Sequence, residues 1–194
     1  MKQPLAFRMR PETLDEVIGQ QHLIGPGQVI RRCIEQGQLF SMIFYGPPGT
    51  GKTTLASVLA NELHLPCRLF NAVTGNKKEL DTIFEEAKFY DGLVLIIDEV
   101  HRLNKDKQDL LLPHVENGRI ILIGATTSNP TMAINPAIRS RCHLFAIKPL
   151  ERNDIIAALN RAAASEKGLN GQVQLDPKAA ELIASYCGGD IRYA

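Results

Sequence analysis

A chain of 194 residues with 44% hydrophobic and 22% charged side chains holds enough apolar mass for one complete core and part of a second, and its composition excludes disorder and collagen-like or coiled-coil architectures. Its 22 basic and 21 acidic residues leave a net charge of +1, which excludes a protein that grips nucleic acid through bulk charge. The charged amino-terminal stretch has no signal-peptide core, and no apolar run approaches the ~20 residues of a membrane span, so a cytoplasmic location with no membrane partner is expected.

In chain order, short apolar runs predict strands at 42–45, 68–71, 93–97, 120–124 and 143–147. Amphipathic stretches predict helices at 52–63, 77–88 and 105–115, then at 153–167 and 177–187. The alternation gives an α/β fold with a five-stranded parallel sheet flanked by helices. After Lys148 no further strand is expected, which divides the chain into an α/β domain over 1–148 and a helical lid over 149–194. Asp190, after Gly188 and Gly189, reads as the N-cap of another helix only four residues from the end, so the lid is expected to be truncated and the chain a piece of a longer one. Cys33, Cys67, Cys142 and Cys187 form no CxxC pair and are expected as reduced core thiols.

The strongest chemical signal is Gly46-Pro47-Pro48-Gly49-Thr50-Gly51-Lys52-Thr53, which fits G-x-x-x-x-G-K-[ST] between a predicted strand and a predicted helix. Glycines there let backbone N–H groups turn inward around a phosphate, and the helix start adds its positive dipole end. Lys52 is placed to reach the β/γ-phosphates and Thr53 to hold Mg²⁺, with Thr54 after it in the nucleotide-binding stretch. A second signal is Asp98-Glu99 at the tip of an apolar strand: Asp98 suits the Mg²⁺ shell, and Glu99 suits a base that activates water, so ATP hydrolysis is expected rather than transfer to a second substrate.

Thr126 and Thr127 end the fourth strand on the same sheet edge, where either hydroxyl could meet a γ-phosphate, and Asn71 ends the second. Arg141, in Ser140-Arg141-Cys142, has no acidic partner evident in sequence and suits an arginine finger that reaches a neighbouring subunit's nucleotide. Residues 99–150 carry seven basic against four acidic side chains; Arg102, Lys105 and Lys107 are either a solvated face or a surface for nucleic-acid phosphates.

Taken together, these motifs resemble the AAA+ ATPases of the clamp-loader and Holliday-junction-motor branch. With Gly124-Ala125-Thr126-Thr127-Ser128-Asn129-Pro130 and the run from Ile134 to Cys142, the chain is similar to the replication-associated recombination protein A family, whose eukaryotic relative is the Werner-helicase-interacting protein. The resemblance implies that the stretch from Met9 to Gln20 packs on adenine through Arg10, Pro11, Val17, Ile18 and Gly19. It implies Thr126 or Thr127 as sensor 1, Arg141 as a finger in trans, Asn71 as a polar switch on the catalytic Glu99, and Arg192 as a sensor 2 arginine of the lid. It further implies a DNA-dependent ATPase at stalled or gapped replication forks of a bacterial nucleoid. That enzyme would work on single-strand/double-strand junctions as a homo-tetramer beside single-strand-binding protein, with ATP and Mg²⁺. A clamp-loader subunit, a branch-migration motor and a nucleotide-gated scaffold without catalysis stay open as alternatives.

Overall fold

Apolar runs long enough to cross a sheet but too short to form a helix alternate with helices along most of the chain. The computed structural model describes residues 3–194. It opens with α1 (Leu5–Arg8), a 3-10 turn at Leu14–Glu16, α2 (Gln21–Ile24) and α3 (Val29–Glu35). The sheet region follows as β1 (Met42–Tyr45), α4 (Lys52–Glu62), β2 (Cys67–Asn71), α5 (Lys77–Ala87) and β3 (Leu93–Asp98). A 3-10 turn at Val100–Arg102 leads to α6 (Lys105–Glu116), β4 (Ile120–Thr126), α7 (Pro130–Ala133), α8 (Pro136–Arg139) and β5 (His143–Ala146). The chain ends with α9 (Arg152–Ala164) and α10 (Pro177–Tyr186).

The five strands form one parallel sheet in the order β2-β3-β4-β1-β5. Because β4 lies between β1 and β3, the ends of three successive neighbours meet at one edge. The register pairs Tyr45 with Thr126 and Ile97 with Gly124, and on the outer side Asn71 with Asp98.

Side chains alternate across the pleat, and each face has its own core. Leu93, Leu95 and Ile97 of β3 pack with Ile43, with Leu80, Ile83 and Phe84 of α5, and with Leu111 of α6. On the other face, Val94 and Ile96 pack with Met42 and Phe44 of β1 and with Leu55, Val58 and Leu59 of α4. A third, smaller cluster joins Leu150, Ile155, Ala184 and Cys187 of the final helical segment to Ile18 of the amino-terminal stretch.

Three expectations change. The helix from residue 152 stops at Ala164 rather than 167, because Ser165 adopts an extended conformation and the turn brings Gly168 so close that a Cβ there would lie 2.0 Å from the Ala162 carbonyl. Asp190 makes the contact of an N-cap, its carboxylate accepting from the Arg192 N–H at 2.9 Å, but no helix follows. Of the four cysteines, only Cys187 is fully buried; Cys67 and Cys142 sit half-buried against the two large cores, and Cys33 is half-buried as well.

Phe44, with no exposed surface, is central to the α4 face. Phe44→Ala is expected to lower stability by about 3–5 kcal/mol in chemical denaturation. A loss below about 1 kcal/mol would mean that the face repacks.

Candidate nucleotide-binding site

The loop from Gly46 to Thr53 turns the chain from the end of β1 into α4. Gly49 and Gly51 have φ of +70° and +87°, the left-handed region that favours glycine and that aims successive N–H groups into one concavity. Thr50 Oγ1 donates to the Pro47 carbonyl at 2.9 Å and stiffens the turn. Lys52, 92% buried, donates from Nζ to the carbonyls of Gly46 at 2.9 Å and Pro47 at 2.6 Å. Burial pulls the Lys52 ammonium below its ordinary pKa, while the Glu99 and Asp98 carboxylates push it back up. A cation is therefore held where its desolvation is offset by the acids across the sheet edge.

Those acids stand at the end of β3. Thr53 Oγ1 donates to Asp98 Oδ1 at 3.3 Å, which brings a hydroxyl and a carboxylate together as hard oxygen donors beneath the loop. This donor set suits Mg²⁺, which takes few protein oxygens and completes its octahedron with phosphate and water. The loop, with its inward N–H groups and buried lysine, suits the phosphates of a nucleotide.

Glu99 occupies a left-handed conformation unusual for a residue with a side chain, φ +51° and ψ +44°. The following turn packs Val100 against β4, where a Cβ on Gly124 would lie 3.0 Å from Val100 Cγ1. Glycine at 124 thus admits the turn, and the turn carries His101 over the end of β4. His101 Nδ1 lies 2.8 Å from Thr126 Oγ1 and 3.3 Å from Glu99 Oε2.

The structure separates the two threonines. Thr126 is buried, accepts from the Ser128 N–H at 3.0 Å and meets His101; Thr127 is exposed. The side-chain oxygen of Asn71 accepts from the N–H groups of Val73 and Thr74 at 2.8 and 3.2 Å, closing a turn, while the imidazole of His101 meets the Glu99 carboxylate.

Arg141 does have an acidic partner, contrary to expectation: Glu116 at the end of α6 forms an ion pair with it. The guanidinium also donates to the Ala137 carbonyl at 2.7 Å and to Ser140 Oγ at 3.0 Å. Lys107 is likewise committed, donating to the Gly75 carbonyl at 2.6 Å and lying over the Phe70 ring, whereas Arg102 and Lys105 are exposed.

The last segment of the chain closes over the loop. Ile191 N–H donates to the Gly49 carbonyl at 3.3 Å, and the Asp190 carboxylate lies so close to Gly49 that a Cβ there would fall 1.8 Å from its Oδ1. Arg192 pairs with Asp190 at 2.6 and 3.0 Å, which holds the carboxyl below its ordinary pKa and raises that of the guanidinium.

The amino-terminal stretch is tied to the same end. Ile18 packs in one cluster with Ile191. Gly19 lies against Leu150 and Asp154, and Gln20 exchanges hydrogen bonds with both backbone groups of Lys148 at 2.8 and 3.0 Å. Arg161 of α9 donates to the carbonyls of Met9 and Glu16 at 3.1 and 2.8 Å, bracketing the segment that includes Pro11. Arg10 is exposed and lies over the Phe7 ring at 4.7 Å, and Val17 is half-buried.

His101 and Glu116 are residues of this region that sequence reasoning missed, and it reads Asp190 only as an N-cap. His101 carried a local signal, its position two residues beyond the Asp98-Glu99 pair.

A phosphate loop, a threonine–aspartate pair beneath it and a glutamate at the same edge of a parallel sheet define a P-loop ATPase domain of the AAA+ class. The family model for the P-loop domain of the Holliday junction DNA helicase RuvB matches residues 9–144, and the chain belongs to that family. Over 193 residues the chain is 51% identical to the replication-associated recombination protein A of Bacillus subtilis, and over 198 residues it is 44% identical to the protein of that name from Escherichia coli (strain K12). These matches cover 98% and 99% of the chain but 46% and 44% of the relatives, so the chain spans slightly less than half their length. Among solved structures, the Thermotoga maritima RuvB Holliday junction branch migration motor is similar with a TM-score of 0.81 at 29% identity, covering 96% of this chain and 62% of that one. No helix among the described residues is long and apolar enough to cross a membrane.

Beside Arg141, burial pushes the Cys142 thiol up to about 12. At pH 8 its alkylation is expected to be at least about a hundredfold slower in the native protein than in denaturant, by mass spectrometry. Equal rates would mean that the segment between α8 and β5 opens freely.

Proposed function

We propose that the chain is the ATP-hydrolysing unit of a DNA-dependent ATPase acting at stalled or gapped replication forks. The observation that carries the reading is the pairing of Thr53 with Asp98 beneath the phosphate loop, with Glu99 next to it on the same edge. Lys52 and the loop N–H groups from Gly46 to Thr54 bind the triphosphate. Thr53 and Asp98 would hold Mg²⁺, which supplies charge neutralisation on the phosphates when bound. Glu99 takes a proton from the attacking water, and Thr126, the buried threonine, contacts the γ-phosphate in preference to Thr127.

The finer roles rest on position. Arg141 bonds Glu116, Ala137 and Ser140, and this braces a guanidinium suited to a neighbouring subunit's nucleotide. Arg192 serves the γ-phosphate once it leaves Asp190, Asn71 acts as a polar switch on Glu99, and Arg10, Pro11, Val17, Ile18 and Gly19 line the base. The division at residue 148, with the lid following, puts the nucleotide between the sheet edge and the helical end. The name carried by the Bacillus subtilis and Escherichia coli relatives supports a replication and recombination context, and that of the Thermotoga structure supports work on branched DNA. The partners that follow are single-strand/double-strand junction DNA and single-strand-binding protein, with a homo-tetramer as the working form in a bacterial cytoplasm, near the nucleoid.

The test is steady-state ATP hydrolysis by the full-length chain with and without junction DNA. Glu99→Gln should bind ATP normally and lose about 10²- to 10⁴-fold in turnover. Arg141→Ala should lose about 10³-fold or more, together with the response to DNA. Turnover that ignores DNA and survives Arg141→Ala would remove both the DNA trigger and the finger.

A further inference from the structure

Glu99 follows β3 and Thr126 ends β4, yet they meet on a single nitrogen. His101 Nδ1 is 2.8 Å from Thr126 Oγ1 and 3.3 Å from Glu99 Oε2, and the side chain is only 13% exposed. Two features build this meeting. Left-handed backbone at Glu99 folds residues 99 and 101 toward the same point, and the contact of Val100 with Gly124 seats the turn against β4. A non-glycine residue in the left-handed region costs conformational energy, which such a site retains only when its surroundings over-determine it.

We infer that His101 is a positioning residue that makes the carboxylate of Glu99 answer to the hydroxyl of Thr126. The inference rests on the reading of Glu99 as the base of ATP hydrolysis. One imidazole nitrogen offers either a lone pair or a proton, never both. As a lone pair, Nδ1 accepts the Thr126 hydroxyl proton and repels the Glu99 carboxylate. As N–H, it donates to Glu99 Oε2 in a charge-assisted bond, and Thr126 must send its hydroxyl proton elsewhere. The Thr126 oxygen already accepts from the Ser128 N–H at 3.0 Å, so only the direction of its own proton is free to change.

A γ-phosphoryl oxygen is an acceptor of the kind that takes this proton. When the Thr126 hydroxyl turns to donate to that oxygen, Nδ1 takes a proton from water as Nε2 gives one up to water, so the ring stays neutral and Nδ1 becomes the donor to Glu99. Glu99 is then held through Oε2, and Oε1 remains to accept a proton from water. When the Thr126 hydroxyl again donates to Nδ1, the ring proton sits on Nε2 and the hold on Glu99 is lost. The base is thus set in place only while a triphosphate engages Thr126.

The experiment compares His101→Ala and His101→Asn in the full-length chain, with ATP turnover measured beside affinity for a fluorescent ATP analogue. An asparagine amide occupies the place of Nδ1 and donates from it. His101→Ala is expected to lower kcat by about a hundredfold, the effect of a misplaced catalytic group, with KM and analogue affinity within about twofold of wild type. His101→Asn is expected to recover most of the lost turnover. Unchanged kcat in His101→Ala, or a KM that rises in proportion to the loss, overturns the inference, as does an asparagine variant no better than alanine. Glu99→Gln measured in parallel separates the two readings: if it keeps wild-type turnover, Glu99 is not the base and His101 has no base to position.

Discussion

Two-sided burial of the central strands is the constraint on which the rest of the molecule depends. All but the last residue of β3 is buried, and β4 is buried at every position but Ile121. Such strands have no solvent face on which to carry chemistry, because an unpaired charge there would bear a desolvation cost of several kcal/mol. Polar function is confined to the tips. Since all five strands run parallel, the tips at one edge collect Asp98, Glu99 and Thr126, while the turn leaving β1 supplies the phosphate loop beside them. The apolar layers on both faces fix the register that makes these neighbours.

The site itself is a balance of charges held at close range. Lys52 is buried, and its Nζ is held by two loop carbonyls while two carboxylates oppose the effect of burial on its charge. Asp190 and Arg192 bring a second pair of opposite charges against Gly49 from the far end of the chain. The loop is therefore bounded by acids both at the sheet edge and at the helical end, so that bound phosphate charge would meet carboxylates on two sides.

Most of the fold was legible because its signals are local. The five strands are short apolar runs between turn residues, and their predicted limits fall within two residues of the observed ones. The turn from β1 into α4 and the placing of Asp98 and Glu99 at the end of β3 were legible for the same reason: each is a contiguous motif that is located without any distant partner. What escaped is non-local or too brief to show a period. The helices α1, α2, α7 and α8 span four residues each, a little over one turn, and no periodicity can announce them. The partner of Arg141 escapes a linear reading because Glu116 reaches it across the fold, from the end of α6. The hydrogen bond between His101 and Thr126 depends on a left-handed glutamate and on the lack of a side chain at Gly124, neither of which a linear pattern reports. Nor does a linear pattern report that the Asn71 side-chain oxygen accepts from the N–H groups of the turn after β2.

Arg161 gives the helical end a mechanical character. Its guanidinium grips the carbonyls of Met9 and Glu16, while Arg8 reaches back to the carbonyls of Lys167 and Gly168. These four backbone anchors join the amino-terminal segment to α9 and to the turn that follows it, although some 150 residues of chain separate them. Displacing α9 from the sheet would require either breaking these bonds or carrying the amino-terminal segment along, up to the paired hydrogen bonds between Gln20 and Lys148.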